Sequence, residues 1–219
     1  MDEASRTDEM SKMGEAGGGG LGRGDVEIVA RDIVFKGYFQ LDRYRLRHRT
    51  FAGGWSPAIT REVFERGHAV AVLLYDPAAD RVALIEQFRP GAYAAGWSPW
   101  LLEVVAGIIE DGESTEEVAR REVREEAGCE VGELVHMVDV LVSPGASSET
   151  VRLYCGRFDS ADIGGLHGLA DEGEDIRVFT LPADEAVAMA KQGRMTNACT
   201  LIALLWLAGE KDALRRRWG

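Results

Sequence analysis

The chain has 219 residues, enough for one good core with a small appendage. Its apolar fraction of 46% and charged fraction of 28% are those of an ordinary globular protein, and its longest apolar run, Leu201–Ala208, is too short to cross a bilayer. A net charge of −12 excludes a basic stripe for nucleic acid, and any anion site must reverse the local sign with metal ions or a few arginines.

Residues 1–24 are polar, carry the Gly17–Gly20 run and show no apolar period, which predicts a disordered tail. The opening MDEASRTDEM is acidic and lacks the basic-then-apolar pattern of a secretory signal. From Asp25 to Phe51 apolar and polar residues alternate, which predicts long antiparallel strands with Gly37 at a turn or bulge. Residues 25–60 are therefore taken as an antiparallel β region, and 61–219 as the main domain. A strand pair is expected at Ala69–Tyr75 and Val82–Phe88, around a turn containing Pro77. Leu101–Val105 reads as one strand running into Gly107. Thr115–Ala127 reads as a helix: Ser114 or Thr115 caps it, Glu116 and Glu117 complement its dipole, and Gly128 stops it. Further strands are expected near Glu133–Val142, Val151–Phe158 and Ile176–Leu181, and helices at Asp184–Gln192 and Asn197–Ala208. The mixture fits an α+β class, with no internal repeat. Three widely spaced cysteines, Cys129, Cys155 and Cys199, read as reduced thiols of a cytoplasmic protein.

The helix at Thr115–Ala127 carries the chemistry. At about 100° per residue, Glu122, Glu125 and Glu126 fall in one sector of its surface, beside an apolar strip of Ala119, Val123 and Ala127. Arg120 and Arg124 are expected to point to water. Three carboxylates on one patch repel each other, and a hard divalent cation with oxygen ligands removes that cost. A solvated acidic face is the blander reading, since Glu-rich helices are common. The whole segment Gly107–Cys129, GIIEDGESTEEVARREVREEAGC, nevertheless fixes seven residues at set offsets, a pattern that arises by chance roughly once in a billion starting positions.

This segment resembles the signature of the Nudix hydrolases, G-x5-E-x7-R-E-U-x-E-E-x-G-U with U apolar, Cys129 being its one mildly unusual position. The likeness extends from about Asp25 to the carboxyl end, toward the bacterial subgroup that cleaves ADP-ribose. It is carried by RYRLRHRTF, REVFERGHA, LIEQFR, PWLLEVVAG, SPGASSE, HGLADEGEDI and NACTLIALLWL. Pro144, sixteen residues past Gly128, marks that subgroup, although Ala146 and Ser147 stand where a further glycine is expected.

The resemblance implies an α/β/α sandwich, N-terminal strands exchanged in a homodimer, and magnesium-dependent hydrolysis of ADP-ribose, with manganese as the alternative metal. It implies metal ligands at Glu122, Glu126, Glu174 and the carbonyl of Ala106, with Glu125 as an accessory group and Arg121 orienting the glutamates. Glu172, in the acidic loop Gly168–Asp175, matches the position of the catalytic base, whereas Glu113 reads as structural. Arg89, at a strand end, could bind phosphate bidentately. Arg61, Glu62 and Arg66 are placed in the substrate pocket, partly from the partner subunit. Tyr38 and Phe39 are placed to stack on adenine, and Ile108, Ser143, Pro144, Gly145 and Glu149 beside the terminal ribose. His48, His68, His136 and His167 are scattered and read as structural, with His167 placed to hold the acidic loop. Two other functions fit less well: cleavage of another nucleoside diphosphate sugar such as GDP-mannose, and an ADP-ribose sensor, against which the intact carboxylates argue.

Overall fold

A computed structural model describes residues 20–161, 163–169 and 173–219, and packing divides them into two compact units. Of the described residues, the first comprises 20–67 together with Leu141–Glu149; the second comprises those within His68–Val140 and Thr150–Gly219.

In the first unit, β1 (Val26–Lys36), β2 (Gln40–His48) and β3 (Ile59–Glu65) form an antiparallel sheet in that order. The β1–β2 register runs from Val26 opposite His48 to Lys36 opposite Gln40, and the chain turns at Gly37, whose N–H donates to Phe39 O at 2.9 Å. Asp42 is 0% exposed and accepts from Gln40 Nε2 at 2.7 Å and Arg31 Nε at 2.6 Å, so burial of its charge depends on this register. β1 is exposed along its whole length, Val26, Ile28, Val29, Ile33, Val34 and Phe35 included. The segment around Ala146 joins this unit through Phe64, whose N–H donates to Ala146 O at 2.8 Å.

The second unit is built on a mixed sheet in the order β10 (Gly165–His167), β11 (Ile176–Pro182), β5 (Arg81–Phe88), β4 (Ala69–Asp76), β9 (Thr150–Arg157) and β8 (Leu134–Leu141). β4 and β9 run parallel, and β4 is buried at every position because both faces of the sheet are covered. Its alternation divides the core. Ala71, Leu73 and Tyr75 share one cluster with Ala186 and Met189 of α3 (Ala183–Lys191) and with Leu204 and Leu207 of α4 (Ala198–Trp218). Val70, Val72 and Leu74 share the other with Val118, Ala119, Val123 and Ala127 of α2 (Thr115–Ala127). Helices on both faces of one mixed sheet make the expected α/β/α sandwich.

The sheet departs from expectation in one place that matters for the site. Leu101–Val105 is not one strand. β6 (Trp100–Glu103), which follows the short α1 (Pro90–Ala94), pairs with β5, whereas β7 (Val105–Ile108) pairs with β4. The chain changes partner at Val104, whose N–H leaves the ladder and donates to Thr200 Oγ1 at 3.0 Å. α4 continues to Trp218 rather than stopping near Ala208, because Leu214 and Trp218 are buried and Trp218 Nε1 donates to Glu133 at 2.9 Å. Among the described residues, no helix is long and apolar enough to cross a membrane.

Candidate active site

The helix α2 starts and stops where its sequence says. Ser114 accepts from Glu117 N, Glu117 reciprocates to Ser114 N at 2.8 Å, and Gly128 closes the helix with φ 65°. Against Gly128 lies the ring of His167, which a Cβ there would approach to 2.2 Å. Arg120 does not point to water: it donates to the carbonyls of Val131 at 2.7 Å and Gly132 at 2.9 Å, tying down the turn after the helix.

The acidic sector is not all surface either. Glu126 is 3% exposed and its Oε2 accepts from Ala106 N at 2.9 Å, so the carboxylate is aimed at the backbone of β7. Glu122 reaches the next residue of the same strand, where a Cβ on Gly107 would stand 1.8 Å from Glu122 Oε1. Glycine at 107 is thus required by close approach rather than by backbone torsion. Gly107→Ala is expected to push Glu122 aside and to reduce cation-induced thermal stabilisation by more than half; an unchanged response would show that Glu122 binds no cation.

Arg121 organises the rest. Nε and Nη2 each lie 3.0 Å from Glu113 in a bidentate pair, and Glu113 Oε2 also accepts from Glu110 N at 3.0 Å. Nη1 bonds Glu122 Oε1 at 2.6 Å and Glu125 Oε2 at 3.3 Å, and Nη2 approaches Ile108 O at 3.4 Å. One guanidinium therefore joins the loop before the helix, the strand β7 and two helix glutamates. Its bond to Glu113 holds the Arg121 pKa above the usual value and that of Glu113 below it.

Burial raises the Glu122 pKa, with Arg121 opposing the shift. Burial, opposed by the Ala106 hydrogen bond, pushes Glu126 up to about 8, with Glu122 and Glu174 adding to the rise. A buried carboxylate facing two others is unfavourable when ionised, and an all-oxygen donor set of this kind fits a hard divalent cation. Among the described residues no three such side chains converge as a finished cage; Glu122 is engaged by Arg121 and Glu126 by Ala106.

Glu174 closes the neck of the acidic loop: Leu169 N donates to Glu174 Oε2 at 3.1 Å, and Glu174 N to Leu169 O at 3.1 Å. Gly168 N donates to the Glu125 carbonyl at 3.3 Å, fastening that neck to the last turn of α2. Glu172 lies outside the described residues. Arg89 follows β5 as the N-cap of α1, with its guanidinium on Glu103, 2% exposed, a residue that sequence reasoning passed over. The available signal was a lone acid inside the apolar run PWLLEVVAG.

The remaining candidates sit in the first unit, apart from Ile108 in β7. Tyr38 is 89% exposed and packs edge-on to Phe39 at 4.7 Å. Phe39 meets Phe64 at 5.1 Å and carries the Arg66 guanidinium 5.6 Å above its ring, while Arg66 Nη1 pairs with Glu149 at 2.9 Å. Phe39, Arg66 and Glu149 thus form one cluster. Arg61 donates to Thr60 O at 2.8 Å, and Glu62 pairs with Arg43 at 3.0 Å. Ser143, Pro144 and Gly145 form a turn in which Ser143 O accepts from Ser147 N at 2.9 Å. Burial pushes the Cys129 thiol up to about 11, which leaves it a poor nucleophile.

The site has clear relatives. The chain is 48% identical over 198 residues to ADP-ribose pyrophosphatase from Escherichia coli, covering 90% of this chain and 95% of that one. It is 42% identical over 197 residues to ADP-ribose pyrophosphatase from Haemophilus influenzae, with 89% and 91% covered. Identity to GDP-mannose pyrophosphatase from Pectobacterium atrosepticum is 35% over 194 residues, with 88% and 96% covered. The solved structure of an ADP compounds hydrolase shares the fold at a TM-score of 0.63 and 20% identity, covering 85% of this chain and 96% of that one. The NUDIX domain model matches residues 65–201, a span that holds β7, α2, its inward-facing glutamates and the arginine that ties them together; the chain belongs to the Nudix hydrolase family.

Proposed function

We propose that the protein hydrolyses the pyrophosphate bond of ADP-ribose, giving AMP and ribose 5-phosphate, with magnesium as its metal and manganese able to replace it. The observation that carries this reading is the acidic sector of α2, with Glu126 buried against the backbone of β7 and Glu122 half-buried beside Gly107, intact at every acidic position. Identity of 48% to an ADP-ribose pyrophosphatase, against 35% to a GDP-mannose pyrophosphatase, favours ADP-ribose as substrate.

Glu122, Glu126, Glu174 and the Ala106 carbonyl would hold the cation. When bound, it neutralises the diphosphate and lowers the pKa of a coordinated water. Arg121 keeps Glu122 and Glu125 oriented, and Arg89 offers its guanidinium to phosphate oxygens. Glu172 accepts the proton of the attacking water. The water oxygen bonds to one phosphorus, the bridging P–O bond breaks, and its electron pair leaves on the other phosphate. Tyr38 and Phe39 stack on the adenine, with Arg61, Glu62 and Arg66 contributing in part from the partner subunit. Ile108, Ser143, Pro144, Gly145 and Glu149 contact the terminal ribose.

The N-terminal strands are the dimerisation region of a homodimer, a reading supported by the apolar side chains exposed along β1. A monomer in sedimentation at working concentration would overturn it. Three widely spaced cysteines without a CxxC pair support a cytoplasmic location. Steady-state kinetics test the substrate: kcat/KM for ADP-ribose is expected to exceed that for GDP-mannose by at least about tenfold. Parity or a reversed preference moves the assignment to another nucleoside diphosphate sugar, and binding of ADP-ribose without cleavage makes the protein a sensor.

A further inference from the structure

Strand β6 ends on Glu103, whose buried charge requires partners. Its Oε2 accepts from Arg89 Nε at 2.9 Å and lies 2.8 Å from Arg89 Nη2, with Gln87 Nε2 at 3.4 Å. Its Oε1 accepts from Asn197 Nδ2 at 2.9 Å. Asn197 is the N-cap of α4 and accepts from Thr200 N at 3.0 Å, and Thr200 Oγ1 receives the N–H of Val104 at 3.0 Å. One chain of hydrogen bonds therefore runs from the start of α4 through Glu103 to the guanidinium of Arg89. The change of strand partner at Val104 belongs to the same network.

The anchor is inside and the arginine is at the surface: the Arg89 side chain is 41% exposed and that of Glu103 3%. Arg89 spends its Nε–Nη2 edge on Glu103, and among the described residues Nη1 makes no hydrogen bond to protein. A guanidinium held in this way loses its rotamer freedom on folding rather than on meeting a ligand.

We propose that Glu103 is a positioning residue for Arg89: it fixes the guanidinium so that its open edge meets the substrate diphosphate, and Asn197 holds Glu103 in turn. This rests on Arg89 being a phosphate ligand, as stated above. Two simpler roles for Glu103 predict other outcomes. A plain counter-charge would weaken the attraction of an anion, so its removal would tighten binding. A merely structural acid would cost stability and leave the kinetics of the folded enzyme unchanged.

The test is a double-mutant cycle on ADP-ribose cleavage with magnesium, using Glu103→Gln, Arg89→Ala and the double variant, with thermal midpoints measured in parallel. Glu103→Gln is expected to lower kcat/KM by about 10–100-fold, mainly through KM. In the Arg89→Ala background the same substitution is expected to change kcat/KM by less than about twofold. A lower KM in Glu103→Gln, a wild-type kcat/KM with a lowered midpoint, or an undiminished loss in the Arg89→Ala background would each overturn the proposal. Asn197→Asp keeps the helix cap but sets a like charge against Glu103. It is expected to act in the same direction and to lose its effect without Arg89, so it serves if Glu103→Gln fails to fold. A wild-type-like Arg89→Ala overturns the reading of the site; a crippled Arg89→Ala beside a wild-type-like Glu103→Gln overturns the positioning role alone.

Discussion

Glu126→Gln is expected to lower turnover by on the order of 10²–10³-fold and, at the same time, to raise the thermal midpoint of the cation-free protein. Both effects come from one feature, a carboxylate only 3% exposed whose pKa burial pushes up to about 8. In the unfolded chain the same group titrates near 4.5. Between those values the folded state holds a proton that the unfolded state has lost. The contribution to stability is fully present below about 4.5 and disappears as pH rises through about 8. Glutamine keeps an oxygen for the Ala106 N–H and removes the titration. Melts in chelator should therefore show the variant gaining on the wild type as pH rises from 5 to 9, with magnesium narrowing the gap at high pH. A variant that melts lower than the wild type at every pH, or that turns over normally, would contradict this role.

Glu172→Gln should reduce kcat by about 10²–10⁴-fold and leave KM within a few-fold. On either side of Glu172 in the sequence, Leu169 and Glu174 pair with each other, and Gly168 N donates to the Glu125 carbonyl at 3.3 Å. Removing the basicity of Glu172 acts on proton transfer and not on binding, and for that reason kcat and KM should separate. Unchanged turnover in Glu172→Gln would assign the base elsewhere.

Helix α2 was legible residue by residue because its cap, acidic first turn, apolar strip and glycine stop are all local signals. Strands β4 and β5 were legible for a related reason, two apolar runs around a Pro77 turn. The break at Val104 was not, since it depends on Thr200, 96 residues further along the chain. Nor was the end of α4: Gly209–Asp212 interrupts the apolar period, and only packing reveals that Leu214 and Trp218 are buried. β3 escaped notice because ITREVFE is charged enough to pass for a loop. In the site, the residue types were visible but their burial was not. Glu103, Glu125 and Glu126 are equally acidic in the sequence; tertiary contacts alone bury the first and third and leave the second half-buried. The need for glycine at 107 has the same origin, a close approach of Glu122 across 15 residues of chain.

The most direct measurement is product analysis of the pure protein with ADP-ribose after divalent ions are stripped and then restored. Equimolar AMP and ribose 5-phosphate should form with magnesium and fall to background in chelator. If cleavage is the same with and without the ion, the acidic sector of α2 is not there to hold a cation. Absence of cleavage under both conditions would remove ADP-ribose as the substrate.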